Sequence, residues 1–405
     1  MTVTIRRLGH LGDGIADGPV FVPLTLPGEV VEGEQSGDHI IAPRIVTPSV
    51  ERVKPPCSHF RTCGGCALQH GSDGFVAAWK ADVVSTALAA HGLAAPIRAI
   101  RTSAPRSRRR ATLSGRRTKK GAMVGFHARG SDVIVDIPNC QLLHPDIMAL
   151  LPVIERLVAL AASRKGEIAV SVTLAMDGAE VSVTGGKPLD SQLQQDLARL
   201  SGESGILRLA WDGDVVAQHR PPRQIIDGIT LIPPAGAFLQ PTKDGETALI
   251  AAVRDAVGPA RRIADLFAGA GTFALPLARN AEVHAVESDA AMLMALDAAW
   301  RNAAGLKKVT TESRDLFRRP MLPLDLRGFD AAVIDPPRAG AEAQVAEIAQ
   351  SGIQRLAMVS CNPVTFARDA KTLTDAGYSL DWIEVIDQFR WSAHVELVAQ
   401  FCAIQ

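Results

Sequence analysis

DLFAGAGTFALPLA, residues 265–278, is the stretch that decides the fold of this chain. An apolar strand ends in Asp265, a glycine-rich turn follows, and Thr272 opens a helix. Glycines in such a turn let the backbone approach a ligand, and the free N–H groups at a helix N-terminus can bind it. From Ile232 to the end of the chain, strand and helix patterns alternate. This alternation predicts βαβ units and a mostly parallel α/β sheet.

Acidic residues stand at the ends of the predicted strands. Glu287 ends the strand that follows the glycine turn, and a carboxylate there suits the ribose hydroxyls of an adenosine. Asp315 ends the third strand, where adenine-binding residues often fall. Asp335 precedes two prolines in IDPPRAG, and a residue before proline is kept out of helical geometry. These patterns predict a ligand site at the carboxyl edge of the sheet, although strand-end acids can also simply cap helices.

The segment RLAMVSCNPVTFARD, residues 355–369, places Cys361 between an apolar strand and a helix. A helix N-terminus there would stabilise the thiolate, which favours a nucleophile over a small core residue. Glu396 begins the final apolar strand and is a candidate base. A thiolate that adds to carbon 6 of a pyrimidine makes carbon 5 nucleophilic towards a methyl donor. A base must then remove the carbon 5 proton.

The sequence before residue 231 predicts two further structural regions. Short strands broken by turn residues predict a small barrel over residues 1–52. Residues 53–230 form a β-rich central region with strand–Asp–Gly–strand hairpins. A helix is predicted over residues 75–92, and it is expected to pack on the catalytic region, residues 231–405.

Three of the six cysteines lie in KPPCSHFRTCGGCALQH, residues 54–70, here called the cysteine loop. The chain starts without an apolar signal segment, which predicts a cytoplasmic protein without structural disulfides. The cysteine loop therefore favours a metal site. Its spacing suits either an iron–sulfur cluster or a zinc ion, the latter with His59 or His70 as a further ligand.

Charge and hydropathy limit the kinds of molecule that this chain is expected to bind. Lysine plus arginine and aspartate plus glutamate both number 43, but residues 101–120, RTSAPRSRRRATLSGRRTKK, contain no acid. Such a stretch favours phosphate backbones, and a solvated loop is the alternative. No apolar run is long enough to span a bilayer, so no membrane partner is predicted.

Taken together, these motifs resemble the S-adenosylmethionine-dependent RNA uracil-5-methyltransferases, in the branch that carries an iron–sulfur cluster. The resemblance rests on RLGHLGDGIADGPVFVPLTLPGEVV, CSHFRTCGGCALQH, IPNCQLLHP, GAFLQPT, DLFAGAGTFALPLA, AVES, IDPPRAG, SCNP and HVE, in family order. It implies a Rossmann-like class I methyltransferase domain, an N-terminal OB-like TRAM barrel that binds RNA, and a central domain that holds a 4Fe–4S cluster. The enzymes that make 5-methyluridine in 23S rRNA are more similar than the tRNA enzyme.

The resemblance also implies roles for individual residues. Cys361 would be the nucleophile and Glu396 the proton acceptor. The S-adenosylmethionine positions would be Gln240, Phe267, Thr272, Glu287, Asp315 and Asp335, and the cluster ligands Cys57, Cys63, Cys66 and Cys140. The remaining cysteine, Cys402, would be a core residue.

This sequence departs from the family in three places. Thr242 and Thr272 stand where asparagine is usual or frequent, and FRWSAH, residues 389–394, stands where a Pro-His-Thr run is frequent. Phe389 and Trp391 are expected near the base as platforms on which RNA bases could stack.

We therefore expect a monomeric, cytoplasmic enzyme that methylates carbon 5 of a uridine, in 23S rRNA rather than tRNA, with a structural cluster. Ribosomal RNA is favoured because the tRNA enzyme usually lacks the barrel and the cluster. The alternatives are a tRNA uracil-5-methyltransferase, an RNA cytosine-5-methyltransferase and a non-catalytic RNA-binding protein with a zinc site. A radical enzyme is disfavoured because its loop is usually C-x3-C-x2-C, whereas this one is C-x5-C-x2-C.

Overall fold

The first part of the chain is a closed five-stranded barrel. The computed structural model describes residues 1–404. The barrel strands follow one another in the order β1-β2-β3-β5-β4, and their bounds are β1 Thr2–Leu8, β2 Gly14–Ala16, β3 Val20–Val22, β4 Val30–Ser36 and β5 His39–Thr47. Alternate apolar residues, among them Ile5, Val22, Val31 and Ile40, fill its interior. The small barrel predicted from the sequence is confirmed.

A helix and a strand after the cysteine loop belong to the catalytic half of the molecule. Helix α1, Asp73–Ala89, begins at Ser72, whose Oγ accepts the N–H of Phe75 at 3.1 Å. Its buried face packs on helix α8, Pro363–Asp375, and strand β6, Ile97–Thr102, forms the edge of the catalytic sheet. The structural unit around the sheet therefore reaches back across residue 230, the boundary drawn from the sequence.

The central region is a seven-stranded sheet with the order β13-β12-β11-β10-β7-β8-β9. Helices α2 and α3 cover it and bury its apolar face. The turn between the last two strands of the region contains Asp212 and Gly213, both at positive φ, as a tight hairpin requires. The bounds are β7 Arg110–Thr118, β8 Gly121–His127, β9 Ile134–Asp136, α2 Pro145–Ala161, β10 Glu167–Ala175, β11 Gly178–Thr184, α3 Ser191–Ser204, β12 Ile206–Trp211 and β13 Asp214–Gln218.

The basic stretch of residues 101–120 crosses from the catalytic sheet to the central sheet. Several of its arginines are held by carboxylates on the way: Arg101 pairs with Glu384, Arg109 with Glu246 and Arg116 with Glu167. The ion pair of Arg109 with Glu246 is buried, so Arg109 presents no net charge at the surface. Within residues 101–120, the side chains that are exposed without a carboxylate partner are Arg106, Arg117, Lys119 and Lys120. That the stretch helps to hold RNA stays a prediction.

The catalytic region is an eight-stranded sheet with the order β18-β17-β16-β19-β20-β22-β21-β6. The first five strands run parallel, and β22 is inserted antiparallel between β20 and β21. Helices pack on both faces. The bounds are β14 Gln224–Ile226, β15 Ile229–Leu231, α4 Lys243–Val257, β16 Arg262–Leu266, α5 Ala274–Leu277, β17 Glu282–Glu287, α6 Ala290–Asn302, β18 Val309–Ser313, β19 Ala331–Ile334, α7 Glu342–Ile348, β20 Arg355–Ser360, α8, β21 Tyr378–Asp387 and β22 Leu397–Ala403. The predicted α/β sheet is confirmed.

No helix within residues 1–404 combines the length and the apolar character that crossing a membrane requires.

A buried polar contact joins α1 to the catalytic sheet. Lys80 Nζ donates to Asp387 Oδ1 at 2.5 Å and to the carbonyl of Phe389 at 3.2 Å. The side chain of Lys80 is fully buried and that of Asp387 is 1% exposed. Because charges are costly to bury alone, the two groups stabilise the structure only as a pair.

We predict that Lys80→Ala lowers the free energy of unfolding by about 3–5 kcal/mol, because it leaves Asp387 buried and unpaired. Urea denaturation followed by circular dichroism measures the change. Arg301→Ala, which removes an exposed ion pair with Asp297 on α6, is the control and should leave the transition unchanged. Equal transitions for the two variants would contradict the prediction.

Candidate active site

A cleft of about 640 Å³ lies at the carboxyl edge of the eight-stranded sheet. This volume is within the usual range for a small-molecule site. Parallel strands end at the same edge, so residues far apart in the sequence meet there. All eight residues predicted to bind the cofactor or to catalyse the reaction line this cleft: Gln240, Phe267, Thr272, Glu287, Asp315, Asp335, Cys361 and Glu396.

One half of the cleft is built by the glycine turn and the strand ends beside it. Phe267 adopts φ +62, a conformation rare for a bulky residue, and its ring packs against Phe317 at 5.3 Å between centroids. The N–H of Gly269 donates to Glu287 Oε2 at 3.1 Å, which fixes the turn against the end of β17. Asp315 accepts the N–H of Phe317 at 3.0 Å. This half offers carboxylates and aromatic rings to a nucleoside.

The carboxyl groups of Asp335 and Glu396 line the cleft, and that of Asp265 is buried close to Asp335. Burial raises the pKa of Asp335 to about 7. Burial and the nearby charge of Asp335 raise the pKa of Glu396 to about 8. Asp265, at the end of β16, is fully buried, and burial and Asp335 raise its pKa well above the usual range. The raised pKa makes the carboxylate form of Glu396 a stronger proton acceptor than an ordinary carboxylate.

Cys361 lies at the end of β20, in the same cleft as Glu396. Burial and the charges of Glu396 and Asp335 raise the pKa of its thiol, while Arg338 acts in the opposite direction. Asn362 Oδ1 accepts the N–H of Val364 at 3.1 Å and so caps the start of α8. That α8 stabilises the Cys361 thiolate stays a prediction.

Two glutamines hold Glu396 in place. Gln388 Nε2 donates to Glu396 Oε2 and, at 2.5 Å, to Gln240 Oε1. All three side chains are buried. Nearby, Phe238 is 57% exposed and forms part of the cleft wall. The cleft thus combines a fixed carboxyl group with an open aromatic ring.

His394 and Arg338 contact each other in the lining of the cleft. An Arg338 nitrogen donates to His394 Nδ1 at 3.0 Å, and burial and the charge of Arg338 lower the pKa of His394. The imidazole is therefore neutral with its proton on Nε2, which can donate to a ligand.

Thr242 lies outside the cleft lining. Its Oγ1 accepts the N–H of Gly245 at 3.2 Å and contacts Ser103 Oγ at 2.8 Å, so it caps α4. Threonine is a good N-cap residue, as is asparagine. The departure at this position therefore concerns helix capping.

The cysteine loop and a distant strand end form a second site. Cys57, Cys63, Cys66 and Cys140 line one small cavity together with His59, whose Nε2 is buried without a hydrogen-bond partner within residues 1–404. His70 lies elsewhere, with its Nε2 at 3.4 Å from the carbonyl of Thr25.

In the described part of the chain, no group of three or more histidine, cysteine or acidic side chains is placed closely enough to hold a metal ion as it stands. The four cysteines nevertheless line the same small cavity.

Comparison with known proteins gives the family. The family model described as tRNA (Uracil-5-)-methyltransferase matches residues 229–400. An uncharacterized RNA methyltransferase of Rhizobium meliloti is 46% identical, covering 98% of this chain and 98% of its own. The 23S rRNA (uracil(1939)-C(5))-methyltransferase RlmD of Pectobacterium atrosepticum is 32% identical, over 99% of this chain and 93% of its own. This chain belongs to the S-adenosylmethionine-dependent RNA uracil-5-methyltransferase family.

The methyltransferase also shares its fold with a solved tRNA enzyme. The crystal structure of Pyrococcus abyssi tRNA (uracil-54, C5)-methyltransferase with S-adenosyl-L-homocysteine matches with a TM-score of 0.78 and 22% identity, over 99% of both chains. This likeness shows a shared fold over the whole chain.

Two residues that line the cleft of the methyltransferase, and one that holds Glu396 from outside the lining, were not identified from the sequence. Phe238 and Arg338 lie in the quoted motifs GAFLQPT and IDPPRAG, so those motifs could have suggested them. Gln388 had no such signal, because its contact with Gln240 joins residues 148 positions apart.

For the methyltransferase we predict that Glu287→Ala weakens binding of S-adenosylhomocysteine by about tenfold or more, because a carboxylate hydrogen bond to a ribose is lost. Isothermal titration calorimetry measures the affinity. Glu282→Ala, at the exposed start of the same strand, is the matched control and should bind normally. Equal affinities would remove Glu287 from the cofactor site.

Proposed function

We propose that this enzyme methylates carbon 5 of a uridine in 23S rRNA. The observation that carries the proposal is the single cleft in which Cys361 and Glu396 face the residues proposed for S-adenosylmethionine. Similarity to a 23S rRNA enzyme at 32% identity supports the ribosomal target. The tRNA enzyme of similar fold, at 22% identity, keeps tRNA uridine as the second candidate.

Cys361 and Glu396 divide the chemistry between them. S-adenosylmethionine supplies an electrophilic methyl group when bound. The Cys361 thiolate adds to carbon 6 of the uracil, and the electron pair that this addition places on carbon 5 attacks the methyl carbon. The bond between that carbon and the sulfonium sulfur breaks, and S-adenosylhomocysteine is the leaving group. Glu396 then takes the proton from carbon 5, the double bond between carbons 5 and 6 re-forms, and the carbon–sulfur bond breaks to release the thiolate.

Other residues of the cleft would hold the uridine. A base must leave its stack to reach Cys361, which costs a few kcal/mol and favours single-stranded targets. Phe238 presents an exposed ring on which a flipped base can stack. Gln240 and Gln388 keep the Glu396 carboxyl group at a fixed position beside Cys361. These residues orient the reacting atoms and exclude water.

The expected result is that the purified protein forms 5-methyluridine in unmodified 23S rRNA, and that Cys361→Ala abolishes the product because no thiolate activates carbon 5. Digestion to nucleosides and mass spectrometry identify the product. Cys402→Ala, in the last strand, is the control and should retain activity.

Glu396→Gln completes this test. The variant should trap the RNA on Cys361 as a covalent adduct, visible on a denaturing gel, because the carbon 5 proton stays in place. Methylation of tRNA alone would select the second candidate, and 5-methylcytidine would refute the uridine assignment.

We further propose that Cys57, Cys63, Cys66 and Cys140 hold a 4Fe–4S cluster. The four cysteines share one cavity, and Arg129 lies beside it, donating to the carbonyl of Cys66 at 3.0 Å. A cluster would supply a cross-link between the cysteine loop and the segment after β9, which carries Cys140. Its role in this proposal is structural.

Protein purified without oxygen is expected to be brown and to contain iron and sulfide. Cys140→Ser should lower the iron content, because one ligand is lost, while Cys402→Ser should retain it. Colorimetric iron and sulfide assays measure both. A colourless protein with one zinc ion would overturn the cluster proposal.

A further inference from the structure

The segment between β21 and β22, residues 388–396, ends at Glu396 and is here called the base loop. We propose that Trp391 is a positioning residue that fixes Glu396 by anchoring the base loop to the cysteine loop. This inference rests on the proposed role of Glu396 as proton acceptor. It assigns the cysteine loop a part in the reaction at the cleft.

Trp391 is inserted into the cysteine site. Its side chain is 5% exposed and packs with Phe60, Cys66 and Leu142. Its carbonyl accepts the N–H groups of Ala67 at 2.7 Å and of Leu68 at 2.9 Å, both in the cysteine loop. The expectation that Trp391 offers a stacking platform to RNA is therefore wrong, because its ring is covered by the protein.

The backbone of Trp391 depends on these contacts. Its φ is +59, a left-handed conformation that bulky residues rarely adopt. Such a conformation persists only where the surrounding structure enforces it. The two hydrogen bonds from the cysteine loop and the buried ring supply that enforcement. Without them the base loop would relax to another path.

The residues next to Trp391 connect its fixed position to Glu396. Arg390 stacks over the Trp391 ring at 4.7 Å, donates to the Ser103 carbonyl at 3.0 Å and pairs with Asp73. Two residues earlier, Gln388 donates to Glu396 itself. A change in the path of the base loop at Trp391 therefore moves the group that holds the carboxyl of Glu396.

The anchor is a property of this chain's own residues. Arg390, Trp391 and Ser392 stand where the family that the sequence resembles often has Pro-His-Thr. The arginine makes the contacts with Ser103 and Asp73, and the tryptophan fills the cysteine site.

The consequence concerns one step of the reaction. A displaced Glu396 slows removal of the carbon 5 proton, while Cys361, on a different strand, still adds to the uracil. The methylated RNA then stays bound to Cys361. A variant at Trp391 should therefore resemble Glu396→Gln in kind, with slower release and accumulated adduct.

The test compares full-length variants with unmodified 23S rRNA and S-adenosylmethionine. Trp391→Leu is expected to release product about tenfold more slowly and to accumulate covalent adduct on a denaturing gel. Trp391→Phe keeps an aromatic ring in the cysteine site and should give an intermediate level of adduct. It also shows whether loss of folding alone explains the result for Trp391→Leu. Trp382→Leu is the matched control, because Trp382 lies on β21, stacks on Arg98 at 3.2 Å and is remote from the cysteine loop.

Calorimetry with S-adenosylhomocysteine should give unchanged affinity for both Trp391 variants, which shows that the cofactor half is intact. If the Trp391 variants accumulate no more covalent adduct than Trp382→Leu, the inference is overturned. Failure of Glu396→Gln to form adduct would instead refute the role of Glu396, so the two failures are distinguishable.

Discussion

The buried contact between Lys80 and Asp387 fixes helix α1 on the catalytic sheet of this methyltransferase. Lys80 belongs to α1, which directly follows the cysteine loop, and Asp387 ends β21, where the base loop begins. Neither group tolerates burial alone, so the contact forces α1 against the catalytic sheet. The carbonyl of Phe389, bonded to the same Lys80 nitrogen, brings the start of the base loop under the same constraint.

The chemistry of the cleft follows from burial at one sheet edge. Parallel strands deliver Asp335 and Cys361 to the same place, and β22, though antiparallel, begins there and adds Glu396. Removing water from these groups raises their pKa values, which costs stability because each charged form is disfavoured. The same burial raises the pKa of Glu396, so its carboxylate takes up a proton more readily than an ordinary carboxylate.

The two sites of the molecule are neighbours in space, although their residues are far apart in the chain. The cysteine loop contacts the barrel on one side, where Leu68 packs with Leu8, and the base loop on the other, through Trp391. A structural cluster at the cysteines would therefore stabilise the relation between barrel, central sheet and catalytic base. The chain shares its fold with a tRNA enzyme and has higher sequence identity to an rRNA enzyme. The shared fold alone therefore does not specify which RNA is bound.

The sequence by itself determined the barrel and the α/β sheet, because both follow from local strand and turn patterns. Six of the eight cleft residues stand out in such local motifs, whereas Gln240 and Phe267 came from the resemblance to the family. Only the tertiary structure showed that β6 joins the catalytic sheet, that Arg109 is neutralised by Glu246, and that Trp391 fills the cysteine site. Each of these contacts joins distant segments, and its energy comes from burying groups that are paired only after the chain has folded. A local sequence pattern does not show which distant residue will become the partner.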